Sequence, residues 1–381
     1  MLHDETLHYL DNAATTRVDP AVADAIRAAM TDLWANPSAL YTPGLQAQQA
    51  LGKARAQVAK TLGCTPGEVY FTACGSESNN LALRGAAVAR RGWGRKILCS
   101  GYEHPSAALP VEQLGKEGFE VDFVPPGPDG RIDVAAMADR VDKGTCLVTC
   151  MQVNNETGAV ADVETLARLT KERNPRTAVH VDGVQAWLRV PAALAGVDSF
   201  TVSGHKVHAP KGIGALYLRK GYHIEPPYLG GGQEKGIRPG TENVPYAVGL
   251  GEAARLMAAN SRERKARVAA LNARLRQGVT ALPEVTVNSP DDAVPEILNI
   301  SLNVIRSETM LHFLEQRRVY VSSGSACSKG AASHTLAAMG LSARAIDTAL
   351  RISLCGDNTE QDIDELLTGL SDGLAKLARL R

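Results

Sequence analysis

The chain has 381 residues, 44% hydrophobic and 22% charged, the balance of an ordinary globular enzyme long enough for two or three domains. Basic and acidic residues number 41 each, so no net field selects nucleic acid or an anionic membrane, and a small substrate is expected.

In chain order, Asp19-Pro20 supplies an N-cap and a first-turn proline, predicting a helix to about Leu33. A second helix is expected from Gly44 to Leu62, stopped by Gly63. Strands follow at 68–72, 96–100, 119–124, 146–153, 178–181 and 198–202. Helical patterns at 77–91, 105–117, 133–141 and 163–172 separate most of them. This alternation predicts an α/β fold with a largely parallel sheet. GIGALYLRK near 211–219 reads as a further strand, and an Ala/Arg-rich run from 249 to 282 as one long helix. The remainder mixes strands (LNISLNVI, RRVYVSS, ALRISL) with helices, an α+β pattern that suits a second domain.

The N-terminus has no basic start followed by an apolar run, so no signal peptide is expected, and no stretch approaches the ~18 apolar residues of a membrane span. Seven cysteines (64, 74, 99, 146, 150, 327 and 355) form no CxxC pair and no zinc-type cluster. Reduced thiols in a cytoplasm-like compartment are expected.

Ligands of an open parallel sheet bind outside the carboxyl ends of its strands. Five of these strands run into polar groups: ACGSESNN, YEHPS, NNETG, DGVQ and SGHK. Loops are generally polar, but five such exits at one rim outline a site. Gly75-Ser76 opens a helix, whose unpaired N–H groups suit a phosphate; a plain helix cap by Ser76 is the alternative. No GxxxxGK[ST] loop is present, so a single phosphate fits better than a nucleoside triphosphate. Lys206 is either a solvated surface lysine or a desolvated one that forms a Schiff base with an aldehyde. Phosphate site plus imine-forming lysine suggests pyridoxal phosphate. Asp182 would then face its pyridine nitrogen, Gln185 the ring oxygen and His104 the ring itself. Cys327 lies in the Gly/Ser-rich run SSGSACSKGAAS, which suits a mobile loop better than a core.

These motifs resemble the NifS/IscS-like cysteine desulfurases, a branch of the class V aminotransferase-like family within fold type I pyridoxal-phosphate enzymes. The resemblance rests on YLDNAATT (9–16), NPSALYTPG (36–44), FTACGSESNN (71–80), EHPS (103–106), NNETG (154–158) and HVDGVQ (180–185). SGHKVHAPKGIG (203–214), GGGQEKGIRPGTEN (230–243), SSGSAC (322–327) and RISL (351–354) complete it. Cys74 and Cys355 depart from it, standing where glycine is common.

The resemblance implies a large domain with a mostly parallel seven-stranded type of sheet over 16–255. It implies a smaller α+β domain from 1–15 with 256–381 that carries the cysteine. Lys206 would bind the cofactor covalently, Asp182 its pyridinium nitrogen and Gln185 its phenolate oxygen. His104 would stack on the ring and handle protons. Gly75, Ser76, Ser203 and His205 would hold the phosphate, with Thr241 reaching the neighbouring site of a homodimer. Asn155 and Arg351 would bind the substrate carboxylate. Cys327 would take sulfur from L-cysteine as a persulfide for an acceptor protein such as an iron–sulfur scaffold, leaving L-alanine.

Overall fold

The computed structural model describes residues 7–323 and 333–380; Cys327 lies outside them. Twelve strands are defined among the described residues. In chain order they are β1 (His8–Tyr9), β2 (Val69–Thr72), β3 (Lys96–Ser100), β4 (Glu120–Val124), β5 (Thr145–Thr149) and β6 (Ala178–Asp182). Then come β7 (Ser199–Ser203), β8 (Gly214–Leu218), β9 (Thr286–Val287), β10 (Ile297–Ser301), β11 (Val319–Tyr320) and β12 (Ala349–Ser353).

Seven strands form the main sheet in the order β2-β8-β7-β6-β5-β3-β4. All its neighbours are parallel except β8, which runs antiparallel to both β2 and β7. The carboxyl ends of β2, β3, β5, β6 and β7 therefore share one edge. Strands β5 to β8 are buried along their whole length, which is why TCLVT, AVHVD, SFTVS and GALYL lack a polar face. One apolar cluster includes Val148, Val181 and Phe200, and another Ile97, Leu147 and Leu216, so helices cover both faces.

Helix α1 (Pro20–Asp32) starts where Asp19 accepts the Ala21 N–H, and α2 (Thr42–Leu62) stops at Gly63 with φ of +75°. Helices α3 (Gly75–Arg90), α4 (Pro105–Lys116), α5 (Val134–Asp139) and α6 (Val163–Arg173) fill the expected gaps between strands. The expected single long helix over 249–282 is two: α7 (Val244–Ala259) and α8 (Ser261–Thr280), interrupted at Asn260. Arg264 stabilises this break by bonding to the Met257 and Leu188 carbonyls at 2.5 and 2.8 Å. The two pieces serve different cores. Leu250 and Ala254 pack with the main sheet's cluster, whereas Val268, Leu271 and Leu275 pack with Leu298, Ile300 and Ile352.

That second cluster backs an antiparallel sheet in the order β12-β10-β9, with β1 and β11 paired in parallel beside it. Two expected strands are shorter than read. The strand over 146–153 leaves the ladder after Thr149, and RRVYVSS contributes only Val319–Tyr320. No described helix is long and apolar enough to cross a membrane.

Candidate active site

The carboxyl edge of the main sheet opens into a cavity of about 220 Å³. It is lined by Gly75, Ser76, His104, Asn155, Asp182, Gln185, Ser203, His205, Lys206 and Arg351, together with Ala13, Ala14, Cys74, Ser106, Met151 and Val184. Residues separated by up to a few hundred positions thus meet because four strand ends and one helix start face the same space. Arg351 arrives from β12 of the smaller sheet. Thr241 does not join them; it is exposed, just before α7.

Lys206 sits just beyond β7, and its Nζ donates to the Ala13 and Ala14 carbonyls at 2.6 and 2.7 Å. This fixes the amine against the N-terminal segment. Asp182 ends β6 and is 2% exposed. Its carboxylate accepts from Asn79 Nδ2 at 2.8 Å and from the Val184 N–H at 2.9 Å, both neutral donors. Asn79 also donates to Ser106 Oγ, and its Oδ1 bonds to Nε2 of His180. Gln185 donates to the Ala13 carbonyl at 2.9 Å, while its Oε1 accepts from Arg189.

His104 N-caps α4, its Nδ1 bonding to the Ser106 N–H and hydroxyl at 3.1 and 2.8 Å. Burial holds its pKa below the ordinary imidazole value, against the pull of Asp182, so the ring is neutral at neutral pH. His205 is pushed down to about 4, by burial first and by Lys206 next. Behind His104, the buried Glu103 is raised to about 8 by burial and by the like charge of Asp182. Its Oε1 accepts from Ser100 and from the Met151 N–H. Where the described chain resumes, Ser333 donates to Glu156 at 2.5 Å and His334 Nε2 bonds to the Glu103 carbonyl at 2.8 Å.

Three observations test whether this cavity fits pyridoxal phosphate. Helix α3 begins at Gly75 without any side-chain cap, so its first N–H groups face the cavity as an anion site. Ser203 Oγ is buried beside it with no hydrogen-bond partner among the described residues. The Asp182 carboxylate receives only neutral donors in its two hydrogen bonds, and a pyridinium would complete its charge balance. The residues fit the cofactor.

Reading the sequence found the strand-end residues but missed Asn79, His180 and Asp11. All three lie inside the motifs FTACGSESNN, HVDGVQ and YLDNAATT. Asn79 is four residues after Gly75, one helical turn on, a spacing that puts it on the same face of α3.

A model of the aminotransferase class-V family matches residues 8–366. A cysteine desulfurase of Nostoc sp. is 40% identical over 378 residues, covering 98% of this chain and 94% of that protein. A solved NifS-like protein superposes with a TM-score of 0.92 at 36% identity, covering 97% of this chain and 99% of that one. A further structure, described as SspA in complex with cysteine, has a TM-score of 0.81 at 32% identity over 92% of this chain and 99% of its own. With fold, cavity and full-length similarity in agreement, the chain belongs to the class-V aminotransferase family, among the NifS/IscS-like cysteine desulfurases, which are pyridoxal-phosphate enzymes.

Proposed function

We propose that this protein converts L-cysteine to L-alanine and takes the sulfur onto Cys327 as a persulfide. The observation that supports the reading most strongly is the convergence of Lys206, Asp182, His104 and Arg351 on one cavity. When bound, pyridoxal phosphate supplies an electron-withdrawing ring that makes the substrate Cα–H acidic.

The chain's own residues do the rest. The N–H groups at Gly75 and Ser76, with Ser203 and His205, would hold the phosphate, and Thr241 of a second copy would complete that site in a homodimer. Asp182 would keep the pyridine nitrogen protonated and Gln185 would donate to the phenolate oxygen. Asn155 and Arg351 would bind the substrate carboxylate, a task that suits the planar guanidinium. Lys206 would hold the cofactor at rest and serve as the base for the Cα proton. Neutral His104, able both to accept and to donate a proton, would contact the ring and move protons at the substrate. The Cys327 thiolate would attack the substrate sulfur: an S–S bond forms, the Cβ–S bond breaks, and its electron pair stays with the three-carbon fragment. Protonation of that fragment gives alanine.

The persulfide would pass to an acceptor protein such as an iron–sulfur scaffold. The described cysteines are all free thiols, which supports a reducing, cytoplasmic setting.

The reading predicts a yellow protein bleached by borohydride, with Lys206→Ala losing that imine absorbance. Cys327→Ser should keep the colour yet release no sulfide from L-cysteine under reductant. A colourless wild-type protein, or undiminished sulfide release by Cys327→Ser, would overturn it.

A further inference from the structure

Arg351 enters the cavity already paired. It is 2% exposed, and two of its nitrogens are committed: Nη1 donates to the Asn155 carbonyl at 3.0 Å and Nη2 to Asp11 Oδ1 at 2.8 Å. Its Nε is buried with no hydrogen-bond partner among the described residues. Asp11 is anchored as firmly. It bridges to Ser353 at the end of the same strand that carries Arg351, and its carbonyl accepts from the Ala14 N–H at 3.0 Å and the Tyr9 hydroxyl at 3.1 Å. The Asp11 side chain is 19% exposed, so the ion pair is largely shielded from solvent, and Arg351 is the partner that lines the cavity.

A guanidinium offers five N–H donors in one plane, and here Asp11 and Asn155 take two of its nitrogens. We propose that Asp11 is a positioning and specificity-determining residue for the substrate carboxylate. It aims the Arg351 fork and cancels its net charge, so the carboxylate is held by the direction of the N–H groups that Asp11 and Asn155 leave unused. This rests on the assignment of Arg351 as the carboxylate site.

The chemistry gives the pairing a purpose. L-cysteine and L-alanine carry the same α-carboxylate, so a grip based on net charge would tighten substrate and product equally. Uniform binding of that kind lowers KM and retains the product without speeding the chemical step. Asp11 keeps the grip directional and weak enough for alanine to leave.

The test is kinetic. Asp11→Asn keeps an oxygen for Nη2 but removes the charge. We expect L-alanine to inhibit this variant about tenfold more tightly and the KM for L-cysteine to fall by a similar factor, with no rise in kcat. With L-cysteine methyl ester, which has no carboxylate, KM should not move. Arg351→Ala is the reference: it should erase the difference between acid and ester. If that difference survives in Arg351→Ala, the carboxylate assignment fails and the proposal with it. If it is erased but Asp11→Asn leaves alanine inhibition unchanged, or shifts acid and ester alike, Asp11 only holds the fold and the proposal alone is overturned. Asp11→Ser, also uncharged, carries the same two outcomes should the asparagine variant not fold.

Discussion

Asp182 is held by a chain of neutral groups. Ser199 Oγ bonds to His180 Nδ1 at 2.9 Å, His180 Nε2 to Asn79 Oδ1 at 3.1 Å, and Asn79 Nδ2 to Asp182 at 2.8 Å. Burial pushes the His180 pKa down to about 3, so its ring stays neutral and keeps one N–H and one lone pair for this relay. Fixing the imidazole fixes which end of the Asn79 amide faces the carboxylate. A hydrogen bond to a charged group contributes about 1.5–3 kcal/mol. Asn79→Ala should therefore retain pyridoxal phosphate about 10–100-fold less tightly, read by cofactor titration of the stripped protein. Wild-type affinity would show that Asp182 is aimed without Asn79. At this scale the sequence displayed Lys206 and Asp182, because each follows a strand in a polar exit that loop composition alone does not explain. Asn79 was hidden among the neighbouring polar residues of SESNN, and only the helix phase relative to β6 selects it.

Helix α3 meets the sheet where Gly75 has no room for a side chain. A Cβ there would lie 2.8 Å from Val184 Cγ2 and 3.5 Å from Ser203 Cβ. The glycine lets the helix start sit directly over the ends of β6 and β7, where its free N–H groups can reach a phosphate. Gly75→Val would push the helix start away and cover those groups. It should give a folded protein, with helical content close to wild type, that holds no cofactor; circular dichroism with absorbance checks both. Full cofactor content would contradict the role of this helix start. The caps at Asp19 and Gly63 were legible because capping is local chemistry. The interruption at Asn260 was not, because the Ala/Arg-rich run remains helix-forming on both sides. What splits it is packing onto two different cores and the tether from Arg264 to Leu188, 76 residues away in sequence.

At the scale of the whole chain, the N-terminal segment closes the cavity. Ala13 and Ala14 hold Lys206, Ala13 also holds Gln185, and Asp11 holds Arg351 across 340 positions of sequence. Contacts of this range leave no trace in periodicity or spacing, so YLDNAATT was recognisable as a motif without its purpose being readable. The parallel sheet, in contrast, was legible because its strands alternate with helical patterns, and that topology brings their polar exits to one edge. In the proposed reaction the cavity would hold cofactor and substrate carboxylate, while the transfer of sulfur would turn on Cys327. Mass spectrometry of the protein after one turnover with L-cysteine tests this most directly. The account predicts the mass of one sulfur atom added at Cys327, removed by reductant, and matched by one equivalent of L-alanine. Alanine formed while Cys327 stays unmodified would contradict it.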